Sequence, residues 1–384
     1  MPSLFSHISN LFSHRQVRPL SLMFLAHGLL TATYFSQIPT IKTNLGLSDA
    51  ELGRVLLGLP LGLTLINPFV GYLMERLGAI RITLICYVFY VIAMTCLFLT
   101  TSAWMLFFNL LAAGLFTGVM VVAVNTLVTR IEQTEGIHVL SSCHGMFSLG
   151  ATLGAVISSW AIAKGIAPTY QMATIGFLII ASNFFNKKSL DQVPMATEQS
   201  KGKLFALPNK ELMLLIFVGL TVAFGEGLVN DWSAVYLRDT IGAPPEMTTL
   251  GYAGCALSMM IFRFSGDALI PKYGERKLLF VGGVLVFLGT SLAVIVPNVI
   301  AGIAGFTIVG AGTAMGVPML INKAAQVKGF SDGAAVGVFT AFSFIGFVIE
   351  PPIVGYLADW IDLKAGLIFV GVCGLLGGLL ALRL

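Results

Sequence analysis

Gly71-Tyr72-Leu73-Met74-Glu75-Arg76-Leu77-Gly78-Ala79-Ile80-Arg81 is a short charged turn set between two long apolar runs. Glycine lets a helix end approach its neighbour, and Gly78 permits a tight reversal. Glu75, Arg76 and Arg81 can pair across the ends of neighbouring helices, closing one face of a bundle and releasing it when the pairs break. The stretch equally fits a capped turn whose arginines only mark which side of a membrane it occupies.

The runs on either side decide the solvent. Hydrophobic residues make up 57% of the 384-residue chain and charged residues 10%, against about a quarter charged in a soluble domain. Mean hydropathy is +0.90. Lipid suits such a surface, and a span needs about 20 apolar residues. Twelve spans are expected near 18–41, 52–74, 80–100, 103–128, 138–163, 168–185, 211–237, 247–268, 278–296, 298–321, 334–357 and 365–382. Ser48 and Glu51 read as a capping box opening the second span. Residues 1–17 place Leu4, Phe5, Ile8, Leu11 and Phe12 on one helical face, which fits either a helix on the membrane surface or a frayed tail. A polar linker at 186–210 separates an N-terminal bundle (18–185) from a C-terminal bundle (211–384).

The 22 basic residues are unevenly shared: 17 fall on the side of the termini and the linker, and 5 on the other. The positive-inside rule puts both termini and the linker in the cytoplasm. The net charge of +4 therefore reports topology, and no nucleic-acid partner is expected. The five cysteines lie in apolar runs without metal-ligand spacing. Neither a phosphate-binding loop with lysine nor a nucleophile–base pair is legible, so no cofactor, metal or enzymatic activity is expected.

The two halves echo each other in order: His27-Gly28 with Glu226-Gly227, Gly53 with Gly251, Gly78 with Gly274, Gly145 with Gly337, and Gly154 with Gly346. Parallel repeats of this kind place a substrate site between the halves at mid-depth. The opening stretch resembles the loop signature of the major facilitator superfamily, with Glu75 where that family usually has Asp. A degraded copy follows in the second half, with Arg263, Gly266, Asp267, Gly274 and Arg276. The resemblance implies an all-α membrane protein of twelve transmembrane helices in two pseudo-symmetric six-helix bundles, working by alternating access. His144-Gly145-Met146-Phe147-Ser148-Leu149-Gly150 and Glu226-Gly227-Leu228-Val229-Asn230-Asp231-Trp232 resemble a bacterial inner-membrane branch near the fucose-permease-like members, many of them sugar–proton symporters.

Ionisable side chains within a span are costly and tend to face a pathway or a partner. His27, Thr31 and Tyr34 form a stripe in the first span. Glu226, Asn230 and Ser233 form one in the seventh, beside Asp231 and Trp232. His144 and Ser148 line the fifth span, where a packing face is the competing reading. Asn125 lies in the fourth. Glu350 precedes Pro351-Pro352, a pair expected to kink or end the eleventh helix; it is either a pathway carboxylate or a hinge partner. Tyr34 and Trp232 suit stacking on a sugar ring or an interfacial belt. The first expectation is a monomeric, proton-coupled importer of a small polar, sugar-like solute, with Glu226 as the proton carrier. An exporter of drugs or metabolites is the second, and a sensor or lipid-handling protein on a carrier fold the third.

Overall fold

The computed structural model describes residue 11 and residues 14–137, 139–190, 208–328 and 334–384. Most of the amphipathic face proposed for residues 1–17 and most of the linker lie outside the described residues, as does the side chain of Asp267.

Among the described residues all regular elements are helical. In chain order they are α1 (Val17–Leu45), α2 (Asp49–Leu56), α3 (Gly58–Leu77), α4 (Ala79–Cys96), α5 (Ala103–Glu135), α6 (Leu140–Ala163), α7 (Pro168–Leu190) and α8 (Lys210–Val235). Then follow α9 (Leu250–Tyr273), α10 (Glu275–Ile295), α11 (Val299–Thr313), α12 (Gly316–Ala325), α13 (Ala334–Ser343), α14 (Ile345–Trp360) and α15 (Leu363–Ala381). Among the described residues nine segments are long and apolar enough to cross a membrane. With α1, α7 and α9, of 29, 23 and 24 residues, the long helical segments among the described residues number twelve. Large apolar side chains such as Phe69, Trp104, Phe108, Phe177 and Ile300 stand exposed along them, a surface suited to hydrocarbon.

Three segments are interrupted, at Leu57, at Ala314–Met315 and at Phe344. The first two breaks have a local cause. Proline offers no N–H to the carbonyl four residues earlier, and Pro60 and Pro318 stand four residues after Leu56 and Ala314. Of the two outcomes the sequence reading allows for the proline pair, a kink or an end, the end does not occur. α14 runs on through Pro351 and Pro352 to Trp360, and the interruption comes earlier, at Phe344.

The helices form two compact units, one of α1 and α3–α7, the other of α2 and α8–α15. In the first, α1 lies along α6 and α3 along α5; in the second, α10 lies along α15 and α11, with Leu212, Leu215, Met319, Leu320 and Phe339 in its core. Short α2 joins the second unit by its N-terminus. Ser48 and Glu51 form the expected capping box, and Asp359 of α14 accepts hydrogen bonds from Ser48 Oγ at 2.8 Å and from the Asp49 N–H at 2.9 Å. Arg54 donates to the Tyr356 hydroxyl at 3.1 Å.

The repeat is visible in the backbone. Gly78, between α3 and α4, has φ 80 and ψ 134; Gly274, between α9 and α10, has φ 77 and ψ 148. Only glycine enters that region without strain. The two turns that the sequence aligns therefore share one conformation.

Candidate functional site

In the first unit the polar residues of α1 meet α4 and α5. His27 Nε2 shares a hydrogen bond of 2.8 Å with Thr117 Oγ1. Thr31 Oγ1 lies 3.2 Å from the Tyr90 hydroxyl and donates to the His27 carbonyl. The His27 ring packs edge-on to Tyr90 and tilted against Phe147. Tyr34 is buried beside Phe35. Thr117 and Tyr90 did not stand out in the sequence, because both lie in strongly apolar runs with no charged neighbour nearby. Further along, His144 Nε2 shares a 3.1 Å hydrogen bond with Asn125 Oδ1, and the Asn125 amide donates to the Val121 carbonyl. Phe24 packs edge-on to the His144 ring, and Ser148 is buried on the same helix.

In the second unit the acids separate onto two faces of α8. Glu226 lies midway along the segment Lys210–Thr240, with Oε2 4.0 Å from Arg263 Nη2 of α9. Asn230 follows one turn later, half-buried. Gly227 and Asp231, also one turn apart, face α14. A Cβ on Gly227 would stand 2.9 Å from Glu350 Oε2, so the missing side chain makes room for this carboxyl group. Asp231 is the acidic neighbour of Glu350 on this face. Glu350 is 0% exposed, and neither of its oxygens has a hydrogen-bond partner among the described residues. Trp232, also 0% exposed, has an indole N–H in the same condition. Such orphaned groups are few in native interiors and call for an explanation.

The residues of the loop signature spread out. Gly71 lies within α3, and Glu75, Arg76 and Arg81 are exposed, Arg76 over the Tyr72 ring at 5.1 Å. Arg276 is exposed at the start of α10, while Lys323 of α12 lies 3.4 Å from Glu275. Arg263 and Gly266 are inside α9, Arg263 ten residues ahead of the last helical residue, Tyr273. Arg263, grouped by motif with the loop copy, thus lies inside the helix, as the expected span 247–268 has it.

The Major Facilitator Superfamily family model matches residues 20–329 and 215–384. The chain belongs to this superfamily. It is 29% identical to an uncharacterized transporter, y4wD, of Sinorhizobium fredii, over 95% of this chain and 97% of the relative. It is 30% identical to an uncharacterized MFS-type transporter of Yersinia pestis, over 88% of each. The crystal structure of the nucleoside transporter NupG superposes with a TM-score of 0.76, covering 95% of this chain and 98% of that one at 13% identity. The protein is thus a multi-pass major facilitator secondary transporter of the all-helical fold, and not an enzyme.

Proposed function

We propose that this major facilitator protein couples proton movement to the uptake of a small polar solute, and that Glu350 with Asp231 is its proton site. The observation that carries the reading is that Glu350 is fully buried with no hydrogen-bond partner among the described residues. A carboxylate out of reach of any cation or donor is costly in an apolar interior, and a proton removes that cost. A group so placed loads a proton from whichever side water reaches it. Asp231, one turn from Gly227, receives the proton or repels a second charge; two acids within reach of each other titrate as a pair. The proton role shifts from Glu226, which has a cation beside it, to Glu350. His27 with Thr117, Tyr90 and Thr31 in the first unit offers hydroxyl and imidazole groups to a hydroxylated, sugar-like solute, consistent with motifs resembling fucose-permease-like members. The proposed setting is a bacterial inner membrane, with a monomer whose termini are cytoplasmic.

The test is proton movement in proteoliposomes containing a pH-sensitive dye, challenged with a panel of neutral sugars, sugar acids and nucleosides. The wild type is expected to acidify the lumen with a transported solute. Glu350→Gln is expected to exchange that solute across the membrane without moving protons. Undiminished proton movement in Glu350→Gln removes the carboxyl from the mechanism.

A further inference from the structure

α9 and α10 meet at the turn of Gly274 and then part, α9 packing along α11 and α10 along α11 and α15. Glycines let α10 lie against the backbones of its neighbours. A Cβ on Gly282 would stand 2.5 Å from the Gly312 carbonyl oxygen, and one on Gly283 would strike the Gly374 carbonyl. The space left towards α9 is a cavity of about 140 Å³. An engineered apolar cavity of about 150 Å³ stays dry and takes up a molecule the size of benzene. The wall is apolar, with Phe262, Leu269, Leu285 and Met319 on it. Thr221 and Thr313, which also line it, donate to carbonyls of their own helices. The cavity opens at Val281 and Tyr273, which are 41% and 42% exposed.

The mouth carries positive charge. Lys272 Nζ lies 5.0 Å and Lys277 Nζ 5.9 Å from the centre of the Tyr273 ring, so two ammonium groups converge on the side chain that borders the cavity. Like charges so placed repel, and an anion between them relieves the repulsion. Arg276 stands exposed in the same turn. The acid of this turn is engaged elsewhere, with Glu275 Oε2 3.4 Å from Lys323 Nζ. Among the described residues neither Lys272 nor Lys277 has an acid within ion-pair distance. We propose that this is a binding site for an anionic phospholipid, whose phosphate lies between Lys272 and Lys277 at Tyr273 while a segment of one acyl chain enters the cavity past Val281. A soluble phosphate leaves the apolar cavity unused, and a zwitterionic headgroup brings a cation of its own to a place already positive. The orientation that the basic residues favour puts this end in the cytoplasmic leaflet, where anionic lipids and clusters of Lys and Arg attract each other. The site lies within the second unit and needs nothing of the proton-coupled reading.

The experiment is lipid binding to the purified full-length protein in detergent, read by native mass spectrometry and by thermal shift. The probes are palmitoyl-oleoyl phosphatidylglycerol, phosphatidylcholine with the same tails, and glycerol 3-phosphate, which has the anionic headgroup chemistry without tails. The wild type is expected to bind phosphatidylglycerol at least about tenfold tighter than phosphatidylcholine, the scale of two lysines acting on one anion. Glycerol 3-phosphate at the same concentration is expected to give no thermal shift. Lys272→Gln combined with Lys277→Gln is expected to lose the preference between the two lipids. Arg15→Gln combined with Lys328→Gln removes the same charge elsewhere and is expected to keep it. Val281→Trp, a change at an exposed position, covers the opening and is expected to weaken both lipids alike. No preference in the wild type overturns the inference, as does its survival in the Lys272 and Lys277 variant. Equal loss in both paired variants reduces the effect to general surface charge and overturns it too. Glycerol 3-phosphate matching the lipid removes the acyl chain from the site, and so does unaltered lipid binding in Val281→Trp. These last two measurements decide the matter even if the paired lysine variant fails to fold.

Discussion

The Cβ absent at Gly227 decides what surrounds Glu350. A methyl group there would lie 2.9 Å from Oε2, so Gly227→Ala must turn the carboxyl away from its present position beside Asp231. Turning the end of a flexible side chain costs little, and alanine favours a helix over glycine by about 1 kcal/mol. The variant is expected to keep its stability in thermal unfolding and to show weakened proton movement in vesicles. Unchanged proton movement would show that the carboxyl has room to spare. At this scale the sequence was informative about which residues are polar and mute about their partners. Helical spacing set His27 and Thr31 on one stripe and Glu226 and Asn230 on another. It could not show that Glu226 faces Arg263 while Glu350 has no hydrogen-bond partner among the described residues, because each answer lies on a helix many residues away.

The helices were legible wherever an apolar run had clear ends, and the capping box of Ser48 and Glu51 was readable from spacing alone. The interruptions were not. Pro60 and Pro318 sit inside continuous apolar runs, where composition predicts an unbroken span, and the chain breaks just upstream of each; Pro351 and Pro352 drew attention, yet α14 passes through them. Hydropathy measures solvent preference and is blind to a missing N–H. The grouping of α2 with the second unit has a similar origin, since Asp359 is 310 residues from the backbone it caps. Asp359→Ala removes two acceptor contacts at the α2 N-terminus and is expected to cost about 1 kcal/mol, the usual worth of such a cap. Asp359→Asn, which keeps one acceptor oxygen, should fall between the two in thermal unfolding. Equal stability in all three proteins would mean that α2 is held by packing alone.

Over the whole chain the repeat was the most dependable signal, because it rests on order along the sequence. Gly78 and Gly274 adopt nearly the same backbone angles, so two turns far apart in sequence solve the same problem with the same residue type. Orientation in the membrane rests on a different physical quantity. Lys and Arg are retained on the cytoplasmic side when short loops are sorted during insertion, and 17 of 22 fall on the side of the termini and linker by sequence, or 16 once Arg263 is set aside within α9. Moving two or three residues at helix ends leaves that imbalance intact, so the orientation is insensitive to the exact limits of the spans. A fluorescent reporter that matures only in the cytoplasm, fused after Leu384, is expected to light up, and alkaline phosphatase at the same point is expected to stay inactive. Fusions in the turn that follows α6, at Gly165, should give the reverse pattern. An active phosphatase after Leu384 would invert the whole molecule, and with it the side from which Glu350 takes its proton.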